Sequence, residues 1–380
     1  MMNNHTYRLR GFLSSDGYYA LSGVFCKCAT LYNAALEERI LAYKWAGKSI
    51  SYYDQQAQMR DVCKEDYSWS SLHTRVARGV LLRLDRSFQA FFNRVKRGEA
   101  PGFPRFKPAS RFKTIAIDDS VSPMLKRRGK WGFVKVKGLP TIRFKWRNDL
   151  PDSTDHLKSI RITKTSVGLD ISLTYAFEPE VLVESNRTIG IDLGVADRLT
   201  LSNGQVIESR KPDDSRKKRL QQEVGYCKMG SKTRRKRVEK LSRECYHNKI
   251  RNRSMVHELT SGLIKQFGTI VIEDLDIKKM VESGNKQKSN LNRRILDQTW
   301  GILRSQLRYK AEWAGRKLVE VKPHFTSQKC SQCGDVSSEN RNGKLYKCKT
   351  CGNHMDADLN AARNILRAGW EFPGGLVPER

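Results

Sequence analysis

Cys330, Cys333, Cys348 and Cys351 stand in the spacing C-x2-C-x14-C-x2-C, with Gly334 and Gly352 directly after each pair. Two tight knuckles of this kind bring four soft thiolates into a tetrahedron, and each glycine permits the turn behind its thiolates. A structural zinc ribbon is the expected result. Four thiolates close the coordination sphere, so the metal should hold the fold and not catalyse. Cys26, Cys28, Cys63, Cys227 and Cys245 lack such spacing and read as small buried or half-buried residues. Nine cysteines is an odd number, and four of them fall in Cys-x-x-Cys pairs. That pattern favours metal over disulfides, in a reducing compartment.

A chain of 380 residues has room for two or three domains. Its 71 Lys and Arg against 40 Asp and Glu leave a formal charge of +31, which calls for a polyanion as partner. An anionic membrane fits poorly. No run approaches the roughly eighteen apolar residues of a span, and the opening MMNNHTYRLR lacks a signal-peptide core. The expectation is a soluble cytoplasmic protein that binds nucleic acid.

Over residues 70–98, Leu72, Val76, Val80, Leu84, Phe88, Phe91 and Val95 recur at helical spacing, which predicts a long helix ending at Gly98. Arg75, Arg78, Arg83, Arg86, Arg94 and Arg97 take its other faces, either as a solvated surface or as phosphate contacts. The Pro- and Gly-punctuated GEAPGFPRFKP, 98–108, closes this region. FVKVK, IRFKW, LKSIRIT and LDISLTY then alternate apolar with polar or basic residues, predicting a small antiparallel sheet or barrel. One face would carry Lys135, Lys137, Arg143, Lys145, Lys158 and Arg161. Composition breaks at 178–187. Between Arg216 and Arg253 fifteen Lys or Arg stand against three acids, in segments that read as long basic helices. The polar stretch 278–294 reads as a loop, and helical spacing returns through Trp300, Leu303, Leu307 and Trp313. No repeat of solenoid period is visible.

Three acids stand out by position. In TIGIDLG, alternation sets Ile189, Ile191 and Leu193 on one face and Gly190, Asp192 and Gly194 on the other, leaving backbone room for a metal ion and a phosphate. TIVIEDL is a second apolar strand that ends in Glu273 and Asp274, pointing to opposite faces. In DADLNAARNIL, Asp358 shares a helical face with Ala361, Ala362 and Ile365, so packing that face on the sheet delivers Asp358 towards the two strand ends. Asp356 is directed elsewhere or caps the helix. Asp358 could itself be a cap, a role whose loss costs about 1 kcal/mol. Phosphodiester hydrolysis with two metals requires such carboxylates converging from separate segments.

GIDLG, IEDL, FTSQKCSQCG, CKTCG and DADLNAARNI, in that order, resemble the RuvC motifs and zinc ribbon of the TnpB family, transposon-encoded RNA-guided DNA endonucleases related to the compact Cas12 effectors. The likeness runs from about 186 to 368 and extends to GFPRFK at 102–107. It implies a multidomain α+β chain. A helical recognition domain (26–99) would be inserted in a small β-barrel wedge domain (1–25 and 100–185). An RNase H-like RuvC domain (186–321 and 354–368) would follow, with an inserted zinc ribbon (322–353) and a tail (369–380). It further implies that Asp192, Glu273 and Asp358 hold two Mg2+ ions, one activating water and one steadying the leaving 3′ oxygen. Arg341 matches a ribbon arginine that in such enzymes approaches the scissile phosphate. The implied partners are a guide RNA and double-stranded target DNA beside a short flanking motif. One site would cut both strands in turn. Nucleoid association in a prokaryotic cytoplasm and a monomer or a dimer are the corresponding expectations.

Other functions fit less of the sequence. An actin-like ATPase could use GIDLG, but a second Asp-Gly phosphate loop and an adenosine segment are missing from the motifs. A guide-dependent binder without cleavage would not need all three acids. A DNA-joining transposase also uses three acids but does not account for this motif set and ribbon. An effector of a CRISPR system stays open.

Overall fold

The structure, a computed structural model, describes residues 3–65, 69, 71–118, 121–194, 199–208, 215–276, 280–281, 292 and 299–371. Two compact units divide the chain, Met1–Glu178 and Pro179–Arg380. Nearly all of the polar stretch expected as a loop at 278–294, and most of the tail, lie outside the described residues.

In the first unit, strand β1 (Asn3–Phe12) leads into helix α1 (Ser15–Ala46). Ser14 Oγ accepts the N–H of Gly17 at 3.1 Å to start the helix. Gly47, with a left-handed φ of 63°, ends it. Leu21, Phe25, Cys28, Tyr32 and Leu36, three or four residues apart, form its buried stripe. The boundary expected at 25/26 therefore falls inside a helix. Helix α2 (Tyr52–Glu65) and helix α3 (Thr74–Lys96) follow. In α3 the expected stripe is buried through Val76, Val80 and Leu84 but emerges at its far end, where Val95 is 49% exposed.

The sheet of this unit adds β2 (Thr114–Asp118), β3 (Leu125–Arg128), β4 (Trp131–Val134), β5 (Ile142–Lys145), β6 (Leu157–Thr165) and β7 (Gly168–Phe177), in the order β2-β6-β7-β1-β5-β4-β3. All pairings are antiparallel. The order has two ends, and among the described residues no ladder joins β2 to β3. Edge strand β2 is covered by α3: a Cβ on Gly79 would lie 2.2 Å from the Ala116 carbonyl oxygen. Ile115, Ile117, Ile160, Ile162, Ile171 and Leu173 join the helix stripes in one core. The six basic residues expected on the other face are all exposed.

The second unit holds a five-stranded sheet in the order β10-β9-β8-β11-β12. Its strands are β8 (Thr188–Asp192), β9 (Leu199–Leu201), β10 (Val206–Ile207), β11 (Thr269–Glu273) and β12 (Lys317–Val321). Strands β8, β11 and β12 are parallel, and β9 and β10 form an antiparallel extension beside β8. Basic helices α4 (Ser215–Gly225) and α5 (Lys232–Gln266) occupy the stretch of high charge. Helix α6 (Trp300–Ala314) packs with α5 on one sheet face, where Ile189, Ile191, Ile270 and Ile272 meet Val256, Leu263, Trp300, Leu303 and Leu307. Helix α7 (Ala357–Glu371) covers the other face, where Val271, Val319 and Val321 meet Ile365. Between β12 and α7 lies a three-stranded sheet of β13 (Arg341–Asn342), β14 (Leu345–Lys347) and β15 (His354–Asp356). β15 pairs with β14, so the expected ribbon boundary at 353/354 cuts through this sheet. Among the described residues no helix is long and apolar enough to cross a membrane.

Candidate functional site

Strand parity puts the acids together. Ile270 and Ile272 point to α5 and α6, so Val271 and Glu273 point to α7. β8 runs parallel to β11 with Ile191 opposite Ile272, which sets Asp192 beside Glu273 at the exits of adjacent strands. Asp274 takes the opposite face and pairs with Arg304 of α6, as the alternation implied. Asp358 enters from the first turn of α7, one turn before Ala362, which is fully buried against the sheet.

The role of Gly190 differs from the expected one. A Cβ there would lie 2.4 Å from the Ala362 carbonyl oxygen and 2.7 Å from Leu366 Cβ. The space left by the missing side chain is filled by the backbone of α7, not reserved for a phosphate. Close approach of helix to strand is what carries Asp358 to the strand ends. Asp356 caps the helix: its Oδ1 accepts the N–H groups of Asp358 at 2.9 Å and Leu359 at 3.1 Å. Asp358 is thus released from capping, and its Oδ1 receives Arg341 Nη2 at 2.9 Å.

Burial, then the charges of Glu273 and Asp358, push Asp192 up to about 7, against the pull of Arg341. Burial also raises Glu273, opposed by the hydroxyl that Thr326 donates to its Oε1. Buried carboxylates repelling one another are a hard-oxygen donor set of the sort Mg2+ takes. The three acids share a face without closing to single-ion spacing. Among the described residues, the one group of potential ligands lying mutually within 4.8 Å is Cys330, Cys333, Cys348 and Cys351.

That cluster consists of two matched knuckles. Gly334 N–H bonds to Cys330 O, and Gly352 N–H to Cys348 O, each at 3.0 Å. Both glycines are left-handed, with φ of 84° and 72°, as the spacing required. Burial opposes ionisation of Cys330, but backbone N–H groups of Cys333 and Gln332 bring its thiol down to about 6. Four thiolates in this arrangement fit zinc. Of the other cysteines, Cys28 is buried and Cys227 half-buried, whereas Cys26 and Cys245 are exposed, contrary to expectation, because they sit on outer helix faces. The side chain of Cys63 lies outside the described residues.

Three residues of the site escaped the sequence reading, Thr326 among them. Asn360 and Asn364, both buried, project from α7 at i and i+4. Their Nδ2 groups donate to Lys329 O at 2.8 and 2.6 Å, and Asn364 also reaches Thr326 O at 2.9 Å. The pair ties the entry of the ribbon to the helix and so positions Thr326 against Glu273. An amide on an otherwise apolar helical face was the available signal.

The family model described as "Cas12f1-like, TNB domain" matches residues 300–365, and the one described as "Probable transposase" matches 165–284. A "Putative RNA-guided DNA endonuclease" of Streptomyces pristinaespiralis is 30% identical over 387 residues, 98% of this chain and 92% of that protein. "Putative RNA-guided DNA endonuclease InsQ" of Escherichia coli strain K12 is 32% identical over 303 residues, 75% of this chain and 72% of its own. The solved Cas12f1–sgRNA–target DNA complex matches with a TM-score of 0.60 at 15% identity, covering 96% of this chain and 98% of that one. That likeness speaks for the fold alone. On whole-length identity and on the ordered motifs, the chain belongs to the TnpB family of RNA-guided DNA endonucleases.

Proposed function

We propose that this protein cuts DNA selected by pairing with a guide RNA, beside a short flanking motif, at a single RuvC-type site. The observation that carries the reading is the convergence of Asp192, Glu273 and Asp358 on one sheet face of a chain charged +31. The two relatives aligned over 98% and 75% of the chain carry endonuclease names, whereas the transposase description attaches to residues 165–284.

In this reading Asp192, Glu273 and Asp358 hold two Mg2+ ions. When bound, Mg2+ supplies Lewis acidity and a water of lowered pKa. Asp192, held at about 7, must lose its proton before it can serve as a ligand, so cation affinity rises with pH through that value. Thr326 orients Glu273. Arg341 pairs with Asp358, and with Mg2+ on the carboxylates its guanidinium would be free to neutralise a scissile phosphate. The four-cysteine cluster holds zinc and fixes the loop bearing Arg341. The exposed Lys135, Lys137, Arg143, Lys145, Lys158 and Arg161 of the first unit and the basic helices of the second contact guide and target backbones.

The test is to sequence RNA copurifying with the protein and to assay Mg2+-dependent cleavage with that RNA reprogrammed to a chosen plasmid. A discrete structured RNA with a variable 3′ end, and cutting that follows the guide, are expected. Random RNA, or cutting that survives Asp192→Ala, overturns the reading.

A further inference from the structure

The first unit contains a cleft of about 380 Å3 beside α3 and the β2–β6 edge, lined by none of the three acids or four ribbon cysteines. Arg83, Arg86, Arg161, Ser87 and Asp118 line it. Its walls are rigid. Gly79 seats α3 directly on Ala116 of β2, and Ala116 pairs with Arg161 of β6. Arg83 is held twice over: Nη2 donates to Thr114 O at 2.9 Å, and its guanidinium carbon lies 4.8 Å from the centre of the Phe112 ring.

Three guanidinium groups from two elements thus face one space. Arg86 and Arg161 are exposed, and among the described residues neither has a hydrogen-bond or ion-pair partner. Asp118 is on the lining but forms no ion pair with any of the three. Burial, with some help from the charge of Arg161, weakens Arg83's hold on its proton. Ser87 Oγ is already engaged with Arg83 O at 2.9 Å, so its proton is not available to read a base. Guanidinium forks match the paired oxygens of a phosphate, and three like charges facing a single carboxylate are relieved by an anion.

We propose that this cleft is a phosphodiester-binding subsite that seats one backbone phosphate of a nucleic acid between Arg83, Arg86 and Arg161, without regard to base sequence. The inference rests on the nucleic-acid-binding part of the proposed function. Its ligand belongs to either the guide RNA or the target DNA, which share this chemistry.

The test uses the full-length protein freed of RNA, with fluorescence anisotropy on a labelled single-stranded RNA and on a DNA duplex of the same sequence, across a salt series. Arg86→Gln and Arg161→Gln are made singly and together. Arg128→Gln, exposed on β3 outside the cleft, controls for general charge. The double variant should bind one or both probes about tenfold more weakly, with the slope of log K against log salt reduced by about 1 for each phosphate no longer neutralised. The probe affected identifies the strand. Unfolding midpoints matching wild type exclude a folding defect. Unchanged affinity and slope on both probes, or an equal loss from Arg128→Gln, overturns the subsite while wild-type binding leaves the proposed function standing. Failure of the wild type to bind either probe overturns both.

Discussion

Replacing Asp192 by Asn should make the metal-free protein more stable at pH 8 while abolishing cleavage. In the folded chain burial and the neighbouring acids hold this carboxyl at about 7 instead of the ordinary 3.8. Each tenfold step in acidity is worth about 1.36 kcal/mol, so ionising Asp192 in place costs the fold at most about 4 kcal/mol. Access of water and relaxation around the ionised group reduce the realised value to about 1–3 kcal/mol. Because the folded state binds this proton more tightly than the unfolded chain, wild-type stability falls as pH rises from about 4 to 7 and then levels. The variant lacks that decline. Protein dialysed free of Mg2+ with its zinc retained, followed by thermal unfolding at pH 5 and pH 8, measures the difference. At pH 8 the variant's midpoint should lie about 3–10 °C above wild type for a unit of this size, and the gap should shrink at pH 5. Added Mg2+ should raise the wild type more than the variant. Parallel pH profiles, or a variant less stable at pH 8, would refute the electrostatic account.

The two aspartates of α7 should separate cleanly: Asp358→Asn abolishes cleavage and spares guided binding, while Asp356→Ala loses a cap, costs about 1 kcal/mol of stability and retains most activity. Equal loss of cutting from both, in a plasmid assay beside a binding assay, would contradict the geometry. Gly190→Ala drives a methyl against the α7 backbone and should cost about 1–3 kcal/mol or more, with cleavage falling alongside the unfolding midpoint. Cys348→Ser should remove the one zinc expected per chain, read by elemental analysis of purified protein, and lower the midpoint for unfolding; zinc content equal to wild type would discount the cluster as a metal site.

What was legible in the sequence was whatever its own periodicity dictates. The alternation in TIGID and TIVIE fixes the faces within each strand, so Asp192 could be set opposite Ile191 and Glu273 opposite Asp274, while the shared face of the two acids comes from the register of β8 and β11. Cysteine spacing did the same for the ribbon, since ligand geometry is local. Strands β1 and β3 were missed for the converse reason. β1 is central in its sheet, yet only Leu9 and Gly11 are buried along it, and β3 is LKRR with one apolar residue. Their conformation is imposed by pairing with neighbours. Gly190 was read as a vacancy because nothing nearby in sequence announces a helix arriving from Ala362, and Asn360 and Asn364 act on carbonyls some thirty residues earlier. Long-range packing of this kind leaves only ambiguous marks in a single sequence.

Helix α7 packs on a sheet whose strands β8 and β11 precede it by a long interval, and this fixes when the protein becomes dangerous. About a hundred residues separate Glu273 from the end of α7, and at ordinary synthesis rates they take about 5–20 s to appear. Throughout that time the nascent chain already carries its basic helices, but two of its three acids stand without the third. On the proposed roles of these acids, cutting is the last capacity that the growing chain acquires.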